Sequence, residues 1–147
     1  MKKTLLLATL ASLLASQAFA ADPVKARKEV FKQYKQTFGQ MGKMTKGSTP
    51  FNKDDFAKLA AHLDALAQQP WQYFPAGTAT GKTASETDAK PEIWSKPADW
   101  KKAIDTHKAE TAKLKQTAAS GDLGAIKVQF AAVQKTCKAC HDSFRKD

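Results

Sequence analysis

The sequence is poor in cysteine and, after its first 20 residues, in long hydrophobic runs. Its 147 residues include two cysteines, which are too few for a disulfide-rich scaffold. No later apolar run reaches the ~20 residues of a membrane-spanning helix, and no stretch alternates apolar and polar residues as a half-buried strand does. A hydrophobic fraction of 42% excludes a disordered chain. Length and composition therefore indicate one globular domain without strands or disulfide cross-links.

The first 20 residues have the pattern of an export signal. Met1-Lys2-Lys3 is followed by a run rich in leucine and alanine, and Ala18-Phe19-Ala20 fits an A-x-A cleavage site. We predict that residues 1–20 are a cleaved secretory signal peptide and that residues 21–147 are a mature domain in a bacterial periplasm. Removal of Lys2 and Lys3 lowers the formal net charge from +10 to +8. Nucleic acid, the usual partner of a basic chain, is not expected in that compartment.

Four stretches of the mature chain carry apolar residues at spacings of three and four, which is typical of amphipathic helices. We predict helices over about residues 23–44, 53–69 and 96–119, and a fourth from just after residue 122 nearly to the C-terminus. Asp22, Asn52 and Ser95 are the expected N-caps, while Pro70 and Gly121 end the second and third helices. The prediction is an all-α fold, an antiparallel four-helix bundle.

A long connection, residues 70–94, separates the second and third predicted helices. Aromatic and aliphatic residues cluster at its two ends, and its middle, residues 76–90, is rich in Gly, Thr, Ala and Ser. Connections of this length usually serve a function. We expect apolar anchors at both ends and a flexible, solvent-exposed crossing between them.

The fourth predicted helix carries the motif Cys137-Lys138-Ala139-Cys140-His141. Residues three apart share a helix face, so both thiols point the same way. Two such thiols can each add to one vinyl group of a porphyrin, and the next residue, His141, can reach the iron. The C-x-x-C-H pattern is the attachment motif of c-type haem. We therefore favour covalent haem at this motif.

Three further interpretations of the two cysteines stay open from the residues alone. A redox pair normally lies at a helix N-terminus, not near the end of a C-terminal helix. A disulfide between residues three apart in a helix is strained. A zinc site needs four ligands, and His62 and His107 are the remaining histidines. Haem is preferred because both cysteines continue the apolar stripe of their helix in an exported chain.

The chain resembles the cytochrome c′ family, the class II c-type cytochromes, whose haem motif lies near the C-terminus. The motif itself lies between Phe130-Ala131-Ala132-Val133 and Arg145. The resemblance covers most of the mature chain and also includes Arg27, Phe38-Gly39-Gln40-Met41, Lys46-Gly47, Pro70-Trp71, Phe74 and the segment from Asp88 to Trp94. It implies a four-helix bundle with one covalently bound haem c per chain, and a homodimer formed through the first two helices.

The resemblance also implies roles for individual residues. Cys137 and Cys140 would form the covalent links, and His141 would be the proximal, axial ligand of the iron. The remaining expected haem neighbours are Arg145 beside the proximal face, Arg27 and Lys28 at the haem edge and propionates, Asp88 near the haem, and the pocket walls Trp71, Phe74, Trp94 and Trp100. A solvated basic surface is the alternative for Arg27 and Lys28, and ordinary core packing is the alternative for the aromatic residues.

The opposite, distal side of the haem decides between ligand binding and electron transfer. In the family this side is occupied by the residue four after the arginine, here Phe31, where low-spin relatives have a coordinating methionine. Met41 and Met44 lie about 15–20 Å further along the helix and are interpreted as core. His107 is interpreted as a core or surface histidine. We expect five-coordinate, high-spin iron with an apolar distal pocket closed by Phe31.

Two functions are consistent with these expectations. An apolar pocket favours small uncharged ligands such as NO and CO, and the same iron can carry single electrons. The lysine-rich first helix suggests an acidic periplasmic redox partner for the second function. The alternative is a six-coordinate, low-spin electron-transfer cytochrome of the same class. An enzyme is not expected, because no acid or base is placed for peroxide chemistry.

Overall fold

A computed structural model describes residues 22–146. The predicted signal peptide, residues 1–20, lies outside the described residues. Within them the chain is helical, and its extended pairing is limited to one isolated bridge between Ala89 and Arg145. The elements in chain order are α1 (Pro23–Lys46), α2 (Lys53–Leu66), a 3₁₀ turn (Pro70–Tyr73), α3 (Glu92–Ser95), α4 (Pro97–Ser120) and α5 (Leu123–Phe144). The four long helices confirm the predicted bundle.

Local sequence signals explain most helix ends. The Asp22 carboxylate accepts hydrogen bonds from the first N–H groups of α1, and Asn52 does the same for α2. Gly121 ends α4 with a left-handed φ of 74°, a conformation that glycine adopts without steric cost. The N-cap expected at Ser95 is wrong, because Ser95 is the last residue of α3 and α4 begins at Pro97 without a side-chain cap.

The second helix is shorter than predicted. It ends at Leu66 instead of near residue 69, and the 3₁₀ turn begins at Pro70. Ala67 is still helical in backbone angle, and the following N–H groups make shorter-range bonds to Ala65 and Leu66. Such tightening satisfies the last carbonyls of a helix. The tight turn brings Trp71 directly beneath the end of α2.

The main core lies between α1, α2, α4 and α5, and we call it the first apolar cluster. Its buried members are Tyr34, Met41, Phe56, Ala60, Leu63, Leu66, Ala67, Leu114, Ala118, Ile126, Phe130 and Val133. Helices α1 and α5 meet where the Phe38 and Phe130 rings stack at 4.2 Å between centroids. Nearer the start of α1 and the end of α5, aromatic side chains from the connection and from α4 lie between the two helices.

A second apolar cluster lies at that wider end of the bundle. Its buried members Ala89, Ile93 and Phe144 are packed against partly buried side chains of the connection, α4 and α5, namely Phe74, Trp94, Trp100, Ala103 and Cys140. None of the helices in residues 22–146 is both long and apolar enough to span a lipid bilayer.

The connection between α2 and α4 differs from the expected exposed crossing. Its apolar ends do pack on the bundle, but Thr78, Ala79 and Ala89 in its middle are also buried. The Ala89 carbonyl accepts a hydrogen bond from the Thr80 N–H, and the Lys90 N–H donates to the Phe144 carbonyl. The middle of the connection is therefore fastened to the bundle, and the expectation of a simple solvent-exposed segment is wrong.

Candidate functional site

Five aromatic side chains from four parts of the chain meet between the start of α1 and the end of α5. We call them the aromatic cluster: Phe31, Trp71, Phe74, Trp100 and Phe144. Their rings meet edge to face, with centroid distances of 6.0 Å for Phe31–Trp71, 5.6 Å for Trp71–Trp100, 5.1 Å for Phe74–Trp100 and 5.1 Å for Trp100–Phe144. Edge-to-face contacts are a preferred geometry of aromatic pairs. The cluster forms an apolar wall beside the motif, and the motif helix α5 itself contributes Phe144 to it.

Hydrogen bonds orient two of the tryptophans. The Trp71 indole N–H donates to the Ala67 carbonyl at 2.6 Å, which satisfies an orphan acceptor at the end of α2. The Trp94 indole N–H donates to the Phe74 carbonyl at 3.0 Å and holds α3 to the 3₁₀ turn. Trp94 packs in the second apolar cluster and contributes no ring contact to the aromatic cluster. The predicted role of Trp94 as a wall of the haem pocket therefore stays a prediction, and its side chain lies in the second apolar cluster.

Both cysteines lie on successive turns of α5 and are half-buried. Cys137 packs against the first apolar cluster and Cys140 against the second. Burial raises the pKa of both thiols, that of Cys140 to about 11. Reactive redox cysteines have lowered pKa values. The two thiols are therefore protonated at neutral pH, which disfavours a redox pair.

A disulfide or a zinc site fits the motif no better than a redox pair does. Cys137 and Cys140 lie within one continuous helix, where a disulfide three residues apart would distort the backbone. Among residues 22–146, no group of three or more His, Cys, Asp or Glu side chains is arranged to hold a metal ion. A zinc site of protein ligands alone is therefore not supported in the described part of the chain.

His141 lies on the exposed side of α5, one residue after Cys140. Partial burial of its ring, and next the Arg145 cation, lower the pKa of His141. A neutral imidazole is the form that binds iron. Arg145 Nε in turn lies 3.8 Å from an Asp88 carboxylate oxygen, so the structure joins these two predicted site residues in an exposed ion pair.

Arg27 is 3% exposed and holds the connection against α1. Its guanidinium donates to the Tyr73 carbonyl, to the Thr78 hydroxyl and carbonyl, and to the Thr87 hydroxyl, at 2.7–3.1 Å. It also lies 4.4 Å from the centre of the Phe74 ring, a cation–π distance. Burial lowers the pKa of Arg27. Four of its five N–H donors are thus used inside the chain, which sequence reasoning did not anticipate.

Lys28 and Phe31 lie on the outer side of α1. Lys28 Nζ donates to the Glu86 carbonyl at 3.3 Å, so Lys28 contacts the connection and lies away from the aromatic cluster. Phe31 belongs to that cluster yet is 37% exposed, one of two large apolar side chains exposed among the residues described. Met41 is fully buried in the first apolar cluster, and Met44 packs against it. Neither methionine neighbours Phe31.

His107 is a buried core histidine, one of the two interpretations the sequence allowed. Its Nδ1 lies 2.7 Å from the Thr136 hydroxyl. That hydroxyl donates its single proton to the Val133 carbonyl at 2.7 Å, so it accepts from His107, which is the neutral Nδ1–H tautomer. Burial, and next the charge of His141, lower the pKa of His107 to about 4. Thr136, directly before the motif, was a signal for this contact that sequence analysis did not use.

Tyr34 is the second buried polar group near the site that sequence analysis treated only as core. Its ring lies 5.5 Å from that of His107, and its hydroxyl is buried without a hydrogen-bond partner. Burial, and next the nearby Cys137 and Asp64, raise the pKa of Tyr34. Such an orphan hydroxyl is rare in folded proteins and lies on the Cys137 side of the site.

Comparison with known proteins agrees with this geometry. The model of the family described as Cytochrome C′ matches residues 22–145. The chain belongs to the cytochrome c′ family. It is 34% identical to cytochrome c′ of Alcaligenes xylosoxydans xylosoxydans over 125 residues, which are 85% of this chain and 94% of that protein. It is 31% identical to cytochrome c-554 of Cereibacter sphaeroides, covering 92% of each chain.

Solved structures of family members have the same fold. A reduced variant of cytochrome c′ from Alcaligenes xylosoxidans superposes with a TM-score of 0.78 at 33% identity, covering 86% of this chain and 95% of that one. A ferrous variant of the same protein with bound NO gives a TM-score of 0.78 at 34% identity, covering 85% and 95%. A further variant with bound carbon monoxide gives a TM-score of 0.78 at 34% identity, covering 86% of this chain and 95% of that one.

Cytochrome c′ proteins carry covalently bound haem c with iron, and haem c is the cofactor of this chain. The residues present fit such a group. Two protonated thiols lie three residues apart on α5, Cys140 packs with Phe74 and Trp100 of the aromatic wall, and the exposed Phe31 ring is available to be covered by a flat apolar macrocycle. The sequence motif and this wall therefore converge on one site.

Proposed function

We propose that this cytochrome c′ holds its haem iron five-coordinate and high-spin and binds NO and CO. The observation that carries the proposal is Phe31. Its ring lies at the edge of the aromatic cluster, 6.0 Å from Trp71 and 6.5 Å from Phe74, at the α1 position where a coordinating residue would stand in a low-spin relative. Phenylalanine has no atom that coordinates iron.

The remaining potential ligands support the same coordination state. Met41 and Met44 are engaged in the first apolar cluster. His107 donates its Nδ1 proton to Thr136 and is wedged between the Tyr34 and Trp71 rings, at 5.5 and 6.3 Å. Moving any of these side chains to the iron would open a cavity in well-packed core, which costs several kcal/mol.

In this proposal each motif residue has a distinct role. Cys137 and Cys140 would hold the haem by thioether links, and His141 would supply an imidazole nitrogen to the iron. Haem supplies an iron atom that binds diatomic ligands and changes oxidation state by one electron. The Arg145–Asp88 pair lies beside His141 and sets the charge near its ring.

The surroundings of the distal side favour uncharged gases. Aromatic and aliphatic side chains offer no hydrogen bond to a polar or charged ligand, so an anion would be desolvated without compensation. The NO-bound and CO-bound structures of the related Alcaligenes xylosoxidans protein support this ligand class. His107, whose ring lies 6.3 Å from that of Trp71, is neutral and engaged by Thr136, so it is not free to act as a general acid or base, and we propose a binding protein, not an enzyme.

Location and assembly complete the proposal. Residues 1–20 would direct export and be cleaved, leaving residues 21–147 as the haem domain in the periplasm. A homodimer through α1 and α2 remains the expected assembly. Lysines line the exposed side of α1, so such a dimer would use the uncharged part of that helix together with α2.

An optical spectrum and CO binding kinetics of the haem-loaded protein test the coordination state. We expect a high-spin ferric spectrum, and a reduced spectrum that changes on adding CO. Phe31→Ala should speed CO association, because it removes the ring that closes the distal side, by roughly tenfold for each 1.4 kcal/mol of barrier removed. Phe51→Ala, which removes a ring packed on Phe56 in the first apolar cluster, is the matched control and should leave this rate unchanged.

Phe31→Met distinguishes the alternative function. A thioether at this position should convert the iron to the six-coordinate, low-spin state, with a methionine–iron charge-transfer band and slow CO binding. A low-spin ferric spectrum of the wild-type protein would instead establish the alternative, a dedicated electron-transfer cytochrome. Equal CO association rates in wild type and Phe31→Ala would remove Phe31 from the distal side.

A further inference from the structure

The outer side of α1 carries a single-sign row of charge that the haem site does not use. Six exposed lysines fall within about 80° of the helix circumference, on the side opposite the buried Arg27, Tyr34 and Met41. We call this row the lysine stripe: Lys25, Lys28, Lys32, Lys35, Lys43 and Lys46. At ~1.5 Å per residue it is about 32 Å long, the width of a small protein domain.

Little in the described part of the chain neutralises the lysine stripe. Glu29 is the one acidic residue of α1, and its carboxylate lies 3.6 Å from Lys32 Nζ in an exposed pair. Lys28 contacts a backbone carbonyl of the connection, not a carboxylate. Elsewhere on the surface, lysines alternate with acids, as in the exposed Lys101–Asp105 and Lys138–Asp142 pairs. The stripe therefore concentrates positive potential on one face.

The stripe also contains a gap at its centre. Gly39 lies between Lys35 and Lys43, and a Cβ there would meet no atom within 4 Å. Glycine inside a helix destabilises it relative to alanine, and packing within the chain does not require it here. Beside Gly39 is an open surface depression lined by Lys32, Lys35 and Lys43 of the stripe together with Gln36 and Gln40. A missing side chain on an exposed helix allows another molecule to approach the backbone closely.

The lysine stripe borders the haem site. Phe31 lies on α1 just beside the stripe, between Lys28 and Lys32 in sequence, and its ring contacts Trp71 and Phe74 of the aromatic cluster. A molecule held on the stripe would thus lie next to the exposed edge of Phe31. Charge, surface shape and the redox cofactor coincide on one side of the molecule.

We propose that the lysine stripe is the docking surface for an acidic partner protein that exchanges electrons with the haem. Carboxylates of the partner would face the lysines, and the depression at Gly39 would receive its surface. In the exchange, one electron leaves the reduced partner and is gained by the haem iron, so that no bond forms or breaks. This inference rests on the electron-carrying capacity of the haem and not on its coordination state.

The same observations weigh against two different occupants. A second copy placed by a two-fold axis on the stripe would set lysine against lysine, and like charges directly opposed are repulsive. A membrane-bound amphipathic helix needs an apolar face to insert, whereas the apolar face of α1 is buried in the bundle. The acidic surface of a folded protein would neutralise the lysines of the stripe, with no repulsion between like charges and no need for an exposed apolar face.

Binding of a polyglutamate peptide to the ¹⁵N-labelled, haem-loaded protein tests the proposal. The triple variant Lys32→Gln/Lys35→Gln/Lys43→Gln removes half of the stripe. Lys102→Gln/Lys113→Gln/Lys127→Gln removes three exposed charges from α4 and α5 and is the matched control with the same net charge. We expect amide shifts confined to α1 and the neighbouring connection, and a loss of affinity of roughly tenfold in the stripe variant beyond that in the control.

Kinetics with small redox probes give a second readout. Oxidation of the reduced protein by ferricyanide should slow in the stripe variant and lose much of its dependence on ionic strength, whereas oxidation by a cationic cobalt complex should speed up. The control triple should follow wild type with both probes. Neither measurement depends on spin state, so a low-spin spectrum would overturn the proposed gas-binding function and leave this result standing.

Three results would overturn the docking surface. The first is an equal loss of affinity in the two triple variants, which would show that only total charge matters. The second is tighter binding to phosphatidylglycerol vesicles than to polyglutamate, lost in the stripe variant, which would assign the stripe to a lipid surface. The third is a homodimer in sedimentation that protects the amides of the stripe, which would assign it to a second copy of the chain.

Discussion

Two buried polar side chains next to the motif helix differ in how well their hydrogen bonds are satisfied. His107 donates its one N–H to the Thr136 hydroxyl and stays neutral, while the Tyr34 hydroxyl beside it has no hydrogen-bond partner. A charged imidazolium here would lose its hydration without gaining an anion, which is why burial lowers the pKa of His107 to about 4. Protonation of this one side chain is therefore coupled to unfolding.

The pH dependence of stability follows from that coupling. The pKa of His107 is about 4 in the folded protein against an ordinary 6.5, so the unfolded chain binds more protons between these values. The contribution is complete above pH 6.5 and is lost as the pH falls toward 4. We expect the free energy of unfolding to fall by about 2 kcal/mol from pH 7 to pH 5 through this residue, measured by guanidinium denaturation.

His107→Gln isolates the effect, because an amide can still donate to Thr136 but does not titrate. The variant should have a lower free energy of unfolding than wild type at pH 7. Most of the decrease in that free energy between pH 7 and pH 5 should be absent from the variant. His62→Gln, at an exposed position of α2, is the matched control and should keep the wild-type pH dependence. If the free energy of unfolding changed equally with pH in His107→Gln and in wild type, a different group would be responsible for the pH dependence.

At the scale of elements, α1 serves two surfaces at once. Its inner side buries Tyr34 and Met41, and its outer side carries the lysine stripe with Gly39 at the centre. Gly39 and Gly121 are both glycines near helix surfaces, but they differ in backbone conformation. Gly39 has ordinary helical geometry and open space around it, whereas Gly121 has a φ of 74° and lies against the Lys53 side chain.

The two glycines should therefore respond oppositely to alanine. Gly39→Ala should raise the free energy of unfolding by about 1 kcal/mol, since it adds helix propensity without a clash. Gly121→Ala should lower it by a similar amount or more, because alanine is strained at positive φ and its Cβ would lie 2.6 Å from Lys53 Cδ. Thermal or chemical denaturation measures the change in the free energy of unfolding for each of the two variants. Destabilisation by Gly39→Ala would mean that the fold itself requires this glycine.

Which elements could be predicted from the sequence depends on the range of the interactions that form them. Helices α1 and α5 follow from apolar periodicity and from the adjacent caps Asp22 and Asp122, which act within three residues, whereas α4 follows from periodicity alone. The connection does not, because its middle is held by Arg27, a residue 51 to 60 positions away. Composition described that segment as polar and flexible, and no local pattern reveals a distant guanidinium.

The same distinction applies to the site. The motif Cys137–His141 is contiguous, so its role could be inferred from the amino-acid sequence alone. The partners Arg145 and Asp88 were each expected near the haem, but their mutual ion pair arises only when the connection reaches the end of α5. His107 was expected to be core or surface, and its contact with Thr136 depends on the register of α4 against α5. A contiguous motif therefore identifies the chemistry of the site from the sequence, whereas the side chains that contact the motif are determined by how the helices pack.

At the scale of the whole molecule, the motif lies between two apolar clusters of unequal size. Cys137 packs against the first apolar cluster, which has twelve buried members, and Cys140 against the second, which has three. Buried apolar area is the main source of stability. The second cluster, together with the connection that covers it, is therefore the part of the molecule with less stability of its own.

Loss of the haem should uncouple these two parts. In Cys137→Ala/Cys140→Ala no thioether can form, and stabilisation by a group that binds only the folded state disappears. We expect amide hydrogen exchange to accelerate in residues 70–94 and at the end of α5, while amides around Phe56, Leu63 and Leu114 stay protected. Lys138→Gln, an exposed change inside the motif, should retain haem and wild-type protection.

The pattern of exchange distinguishes two ways in which the bundle can be stabilised. Uniform loss of protection, including the α2 amides near Leu63, would mean that haem supports a single cooperative unit. Selective loss would mean that the first apolar cluster is sufficient to fold the four helices. We expect the second result, because Met41, Phe56, Leu63, Leu114, Ile126 and Val133 are completely buried by one another, whereas Phe31, Trp71 and Trp100 keep surface that a bound haem would cover.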